Sequence, residues 1–151
     1  MSQSLSKLYV HIIFHTKNSF ATIHSQDKKD LFAYMGSIIK DNGSIPIIIN
    51  GMSDHVHILC VMSKNIALAK LTEEIKRHSS RWIKTKGKQY EQFAWQGGYS
   101  GFSVSQSLHD KTKHYIENQE EHHKKMSFRE ELIAFFVEYG VEYNEQYLWS
   151  D

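Results

Sequence analysis

Residues 7–16 constrain the fold more than any other part of this sequence, because the run is apolar on both sides of an extended chain. One set of alternate residues is Leu8, Val10, Ile12 and Phe14, and the other is Tyr9, His11, Ile13 and His15. Successive side chains of a β-strand point to opposite faces. A strand with two largely apolar faces must be covered on both of them. The run therefore predicts the central strand of a sheet.

The rest of the chain alternates between helical and extended patterns. We expect a helix at 27–42, strands at 44–50 and 55–62, a helix from Leu68 to a stop before Gly87, two short strands around a glycine turn within 93–105, and helices at 107–125 and 127–139. The order β-α-β-β-α-β is that of the split βαβ fold. The sequence thus predicts an α+β protein with a ferredoxin-like antiparallel sheet, helices on one face and extra C-terminal helices, in a single domain of residues 1–151.

Composition indicates the class of protein and its compartment. With 40% hydrophobic residues, a chain of 151 residues can form one compact domain with a substantial core. Cys60 is the only cysteine, which excludes an intramolecular disulfide and favours a reducing compartment. The first residues lack the pattern of a signal peptide, and no apolar run approaches the ~20 residues that span a bilayer. We expect a cytoplasmic protein without membrane segments.

The charged residues are unevenly distributed, although the net charge is only +1. Between Lys76 and Lys88 there are six cationic residues and no acidic one. Four of them recur at i, i+4, i+7 and i+11, which is one stripe of a helix. They are Arg77, Arg81, Lys84 and Lys88. Such a stripe can follow the phosphates of a nucleic acid, and an ordinary solvated helix face explains it equally well.

Two histidines in the predicted strand 55–62 form a candidate metal site. His55 and His57 are two residues apart, so their imidazoles point to the same face of the sheet. At ~3.3 Å per residue the rings lie roughly 6–7 Å apart along the strand, which suits two nitrogen ligands of one ion. Strand histidines are also common as half-buried polar residues. The pair alone leaves both interpretations open.

A second candidate group lies on the predicted helix 107–125. Tyr115 and Gln119 are four residues apart and therefore share a helix face. A phenol is a possible nucleophile and an amide oxygen a possible ligand for a hard divalent cation, although a tyrosine on an amphipathic helix more often packs in a core. We expect His122 and His123 to form a solvated helix end, where imidazoles favour the helix dipole.

Taken together, these motifs resemble the single-tyrosine transposases of small bacterial insertion sequences, which belong to the HUH endonucleases. The strand motif His-hydrophobic-His at 55–57 is followed by the helical motif Tyr-Ile-x-Asn-Gln at 115–119. Other similar segments are 54–59, 79–82, 95–99, 102–105 and 128–132, with Tyr143 and Tyr147-Leu148-Trp149 at the end. The resemblance covers nearly the whole chain, and its strength lies in the combination.

The resemblance implies a specific chemistry. Tyr115 is the expected nucleophile, and His55, His57 and Gln119 are the expected ligands of Mg²⁺ or Mn²⁺. The expected substrate is single-stranded DNA that carries a hairpin, in the cytoplasm of a bacterium. Because joining two DNA ends requires two tyrosines, we expect a homodimer. Relatives pair their sheets edge to edge, so we further expect composite sites, with the histidines from one subunit and Tyr115 and Gln119 from the other.

Two alternatives remain open at this level. The chain can be a ferredoxin-like nucleic-acid-binding module whose histidines are structural, although the Tyr115 and Gln119 pair opposes this and the aromatic platform of an RNA-recognition sheet is missing. It can also be a domesticated relative that nicks and joins host repeats. The sequence does not separate that role from transposition.

Overall fold

The computed structural model describes residues 2–18 and 21–150. The strands within these residues are β1 (Leu8–His15), β2 (Ile45–Gly51), β3 (His55–Met62) and β4 (Ser100–Val104). The helices are α1 (Ser25–Asp41), α2 (Leu68–Lys84), α3 (His109–Glu117), α4 (Gln119–His122), α5 (Phe128–Tyr139) and α6 (Glu145–Leu148). The strands pair antiparallel in the order β2-β3-β1-β4. This is the ferredoxin-like split βαβ arrangement, as the sequence predicts.

Strand β1 lies in the middle of the sheet and is buried on both faces. It pairs with β3 along one side and with β4 along the other. Its neighbouring residues Ile12 and Ile13 point to opposite faces, and their exposed fractions are 0% and 1%. The prediction from the two apolar faces is confirmed.

Helices α1 and α2 cover one face of the sheet. Leu31, Met35 and Ile39 of α1 pack together with Leu71 and Ile75 of α2 against the even-numbered residues of β1 and β3. Helix α1 ends at Asp41, and Gly43, the second residue after it, has a φ of +78° that favours glycine. The hydrophobic spacing that predicts these two helices therefore also predicts which residues they bury.

The extra C-terminal helices cover the opposite face. Ile116 of α3 packs on Leu59 and Val104, whereas Leu132 and Phe136 of α5 belong to a cluster with strand residues of β1 and β4. Ser127 begins α5 with a capping box shared with Glu130, and Gly140 ends it in a left-handed conformation. The carboxyl-terminal part of the chain thus completes the burial that β1 requires.

Two predicted elements differ in the structure. The helix expected at 107–125 is interrupted at Asn118, which separates α3 from α4. The first of the two strands expected within 93–105 is reduced to a single bridge between Trp95 and Thr16, and only β4 is a strand. Next to Asn118, the side chain of Asn50 in β2 donates hydrogen bonds to the carbonyl oxygens of Ile116 and Glu117. The Trp95 segment keeps backbone hydrogen bonds from Lys17 to Ala94 and from Gln96 to His15. Among residues 2–18 and 21–150, no helix is long and apolar enough to cross a membrane.

Candidate active site

Strand β3 brings His55 and His57 to the face that the C-terminal helices cover. Both imidazoles are fully buried, and their ring centroids lie 5.2 Å apart. The alternate residues Val56 and Ile58 point to the other face and join the core beneath α1 and α2. At the start of the strand, the backbone of His55 lies so close to Gly51 that a side chain there would collide with the His55 carbonyl oxygen. Gly51 therefore permits the tight β2–β3 connection that positions His55.

Tyr115 and Gln119 lie beside these histidines in the same chain. Tyr115 is near the end of α3 and Gln119 begins α4, on either side of the interruption at Asn118. Gln119 Oε1 lies 2.9 Å from His55 Nε2, and the rings of Tyr115 and His57 are 5.9 Å apart. The four residues predicted for catalysis and metal binding therefore meet. Within this single chain the contacts are made by one subunit, because α3 packs over its own β2 and β3, and a site composed from two subunits stays a prediction.

A buried carboxylate, Glu131 of α5, links these residues. Its exposed fraction is 2%. Oε1 lies 2.9 Å from His57 Nε2 and 3.5 Å from His55 Nε2. Oε2 accepts a hydrogen bond from the Tyr115 hydroxyl and another, 2.9 Å long, from Gln119 Nε2. Each carboxylate oxygen thus serves a different part of the site, one the histidines and the other the tyrosine.

Four of these side chains converge as donors for a metal ion. One atom each of His55, His57 and Glu131 lies within 4.8 Å of the others, and Gln119 Oε1 adjoins them. Without an ion, Gln119 Oε1 and Glu131 Oε1 can accept hydrogen bonds from the surrounding imidazoles. Two imidazole nitrogens with a carboxylate and an amide oxygen fit a divalent ion with open coordination positions. The donor set therefore fits the cofactor that the sequence predicts.

Both imidazoles are held from behind by a second hydrogen bond. His55 Nδ1 lies 2.7 Å from Asp54 Oδ1, and His57 Nδ1 lies 2.8 Å from His11 Nε2. His11 belongs to β1 and is buried, whereas the Asp54 side chain is 54% exposed. With the Nδ1 atoms engaged in this way, both rings present Nε2 to Glu131 and Gln119.

Burial and hydrogen bonding determine the charges in the site. Burial raises the pKa of the Glu131 carboxyl, but the hydrogen bonds from His57, Tyr115 and Gln119 outweigh it and hold that pKa well below its usual range. Burial, followed by the hydrogen bond to Glu131, raises the pKa of Tyr115 well above 10. Burial also lowers the pKa of His57 despite the neighbouring carboxylate. Without a metal, the site at neutral pH therefore contains an ionised Glu131, a protonated Tyr115 and a neutral His57.

His122, the last residue of α4, is half-buried, and His123 after it is largely buried beside the site, so the expectation of a solvated helix end is wrong. His123 Nε2 lies 3.1 Å from Gln119 Oε1 and 3.2 Å from Glu131 Oε1. The His122 ring lies against the Tyr115 ring, with 4.3 Å between centroids. A cleft of about 330 Å³ beside Tyr115 and His122 connects this region with solvent.

The predicted basic stripe lies on the other side of the sheet. Arg77, Arg81 and Lys84 are exposed on α2, opposite its buried residues. Arg77 pairs with Glu74 at 3.0 Å, so part of its charge is locally balanced. The spacing predicts that Lys88 also lies on this helix, and that prediction is wrong. Helix α2 ends at Lys84, and Lys88 begins a short 3₁₀ turn after Gly87. The helical stripe therefore consists of three cations, with Lys88 beyond its end.

Comparisons with known proteins point to one family. Residues 4–119 match the model of the family described as "Transposase IS200 like". The fold is similar to that of a protein named as a candidate transposase from Deinococcus radiodurans R1, with a TM-score of 0.60 and 23% identity over 79% of this chain and 98% of that chain. It is also similar to a REP-associated tyrosine transposase bound to a REP hairpin, with a TM-score of 0.53 and 11% identity over 94% and 76% of the two chains. No curated protein matches the chain.

Proposed function

Because the chain belongs to the IS200-like transposase family, we propose that it cleaves and rejoins single-stranded DNA through Tyr115. The observation that carries the proposal is the meeting of a tyrosine hydroxyl, two strand histidines and a buried carboxylate within one chain. A non-catalytic nucleic-acid-binding module requires none of these contacts. In this proposal residues 1–151 form one domain, and the protein acts on DNA in the bacterial cytoplasm.

The residues that would hold Mg²⁺ or Mn²⁺ are His55, His57 and Glu131, with Gln119 beside them. When bound, a divalent ion would neutralise charge on the scissile phosphate and polarise it toward attack. The resemblance implies an amide as the third ligand, whereas the contacts of Glu131 favour a carboxylate in that role. Imidazole and oxygen donors in an open site differ from the closed tetrahedral sites of structural zinc.

Tyr115 would act as the nucleophile. Its oxygen forms a bond to phosphorus as the bond between phosphorus and the 3′ oxygen breaks. Glu131 Oε2, which accepts the Tyr115 hydrogen bond, is the adjacent acceptor for the phenol proton. The departing 3′ oxygen takes up a proton and leaves as a free 3′-OH, while the 5′ side stays attached as a phosphotyrosine. A second 3′-OH can reverse the step and join a new end without ATP, since the phosphodiester bond energy is retained.

The DNA would contact both sides of the sheet. The structural relative with the hairpin supports a hairpin-bearing substrate for this chain, and Arg77, Arg81 and Lys84 on α2, with Lys88 beyond, offer cations for its phosphates. Since α2 lies on the face opposite Tyr115, a hairpin bound there must send its single strand around the end of the sheet to reach the site.

A homodimer would supply the two tyrosines that joining two ends requires. Strand β2 is at the edge of the sheet and pairs only with β3 among the described residues. An edge strand with unpaired backbone groups can pair with a second copy. In such a dimer each subunit would keep its own complete site, because Tyr115 and Gln119 contact the histidines of their own chain.

The test is the covalent intermediate. Incubated with Mn²⁺ and a hairpin-bearing single strand from the DNA flanking its gene, the protein should form an adduct that survives denaturation. Tyr115→Phe removes only the hydroxyl and should abolish the adduct while DNA binding is retained. Tyr143→Phe is the matched control, because Tyr143 is exposed. An adduct that persists in Tyr115→Phe would exclude Tyr115 as the nucleophile.

A further inference from the structure

The proposed chemistry leaves one buried imidazole without a role. His11 lies on β1, on the same face as His57, and its exposed fraction is 1%. The rings of Phe102 and Phe135 stand edge-on to it, with centroids 6.4 Å and 5.2 Å away. Its polar contact is with His57, where the two ring nitrogens lie 2.8 Å apart. A buried polar group in such apolar surroundings is costly unless that hydrogen bond is made.

The protons of this pair depend on whether a metal is present. A neutral imidazole has one N–H, and the nitrogen that binds a metal must be without it. Without metal, His57 Nε2–H can donate to Glu131 Oε1 at 2.9 Å, so His57 Nδ1 accepts from His11 Nε2–H. With a metal on His57 Nε2, the proton must be on Nδ1, and His11 Nε2 must then accept it. Both states need a group at His11 that can either donate or accept.

We propose that His11 is a positioning residue that accepts a hydrogen bond from His57 Nδ1–H and thereby presents His57 Nε2 to the metal. The proposal rests on the proposed function in requiring that His57 binds a metal ion. Hydrogen bonds of this kind orient ligand histidines and increase their basicity. His11 Nδ1 carries the remaining proton in the metal-bound state, so the pair rearranges without gaining or losing a proton.

Asp54 provides an internal comparison, because it contacts His55 Nδ1 as His11 contacts His57 Nδ1. The Asp54 side chain is 54% exposed, so water can replace its oxygen after substitution. The contact between His11 and His57 is buried, with exposed fractions of 1% and 0%, so water replaces it less readily. Loss of the His11 acceptor should therefore reduce metal affinity more than loss of the Asp54 acceptor.

The experiment measures Mn²⁺ affinity without DNA, from the electron paramagnetic resonance signal of the free ion. His11→Phe keeps a planar ring but removes the acceptor, and should lower affinity by about 10–100-fold. His11→Gln keeps an amide that can donate or accept, and should remain closer to the wild type. Asp54→Ala should lose less than His11→Phe. His109→Phe, a histidine on α3 that contacts Tyr9 and Asp110, is the control for unspecific binding.

A second measurement needs no substitution. Nitrogen chemical shifts of the histidine rings, recorded with saturating Mg²⁺, should place the protons of both His11 and His57 on Nδ1. Equal Mn²⁺ affinity in the wild type and His11→Phe, equal losses in His11→Phe and His11→Gln, or a His11 proton on Nε2 in the metal-bound protein would each overturn the proposal. Wild-type protein that bound no Mn²⁺ would overturn the metal site of the proposed function as well. The two failures are therefore distinguishable.

Discussion

Glu131 is the residue on which the contacts of the site depend. Its two oxygens contact different groups. Oε1 faces the metal-ligand candidates His55 and His57, whereas Oε2 faces the nucleophile candidate Tyr115 and Gln119. A carboxylate in this position can hold a metal ion and the nucleophile at a fixed separation. An amide in its place keeps the shape but loses the charge that the ion requires.

Substitution of the ligands should therefore weaken metal binding in a defined order. At a Mn²⁺ concentration of about 100 times Kd, binding stabilises the fold by about 2.7 kcal/mol. At roughly 2–4 °C per kcal/mol for a chain of this size, that raises Tm by about 5–10 °C. His57→Ala should abolish the increase, Glu131→Gln should remove most of it, and Gln119→Ala should remove less. The measurement is thermal unfolding with Mn²⁺ and with EDTA.

His78→Ala is the control for this series, because His78 is partly exposed on α2, away from the site, where it contacts Glu74. If Gln119→Ala proved more harmful than Glu131→Gln, the amide would be the third ligand and Glu131 its hydrogen-bond partner. If no variant changed the Mn²⁺ effect, the metal site would lie elsewhere.

Four members of this site are predictable from the sequence, whereas the fifth, Glu131, is not. His55 with His57, and Tyr115 with Gln119, are close in sequence and share a face of one element. Glu131 follows directly after Glu130, whose position marks the capping box of α5. A glutamate in the first turn of a helix is ordinarily a solvated residue that favours the dipole. Only the packing of α5 on the sheet brings this one into the site, and local patterns do not encode such packing.

At the scale of elements, α2 illustrates how one helix can serve two surfaces. Leu71, Ile75 and Ile83 bury its inner side in the core, while Arg81 and Lys84 remain exposed on the outer side. Exposed charges contribute little to stability. Changing them should therefore separate DNA binding from folding.

The double variant Arg81→Gln with Lys84→Gln should weaken binding of a hairpin-bearing strand and leave Tm unchanged. Each lost phosphate contact should reduce the slope of log affinity against log salt by about 1. Fluorescence anisotropy over a range of salt concentrations measures both quantities. The matched control is Lys29→Gln with Lys40→Gln, two exposed cations of α1. An equal loss in the control would mean that overall charge, rather than α2, attracts the DNA.

The fold was predictable where local signals coincide with burial. The glycine after α1 and the capping box of α5 are both sequence signals. Helix α1 ends just before the first signal, and α5 begins at the second. The interruption at Asn118 has no comparable signal, because the helical spacing continues through it. It arises from contacts with β2, where Asn50 Nδ2 donates to the carbonyl oxygens of Ile116 and Glu117. The hydrogen-bond partner of these two carbonyl oxygens is distant in the sequence, so it cannot be predicted from the neighbouring residues.

At the scale of the whole molecule, the completeness of the site within one chain determines how copies can cooperate. Gln119 and Glu131 reach His55 and His57 without a partner. A dimer would therefore contain two independent sites on a shared DNA rather than two sites assembled from both chains.

Mixing two inactive variants tests this directly. Tyr115→Phe lacks the nucleophile and His57→Ala lacks a ligand, so a heterodimer of the two contains no complete site. We expect no recovery of cleavage after denaturation and joint refolding, measured on labelled single strands, whereas wild-type protein treated identically should recover. Restored cleavage would mean that α3 and α4 exchange between subunits. Sedimentation velocity on the same samples reports whether the variants associate.

Strand β3 has a consequence for how this gene can change over time. Its odd-numbered residues His55 and His57 serve the site, whereas Val56 and Ile58 between them belong to the core. Because the two roles are distinguished only by parity, gaining or losing one codon within β3 would send imidazoles into the core and aliphatic side chains into the site. Evolution can therefore substitute residues of β3 one at a time, but it cannot change the number of residues in the strand.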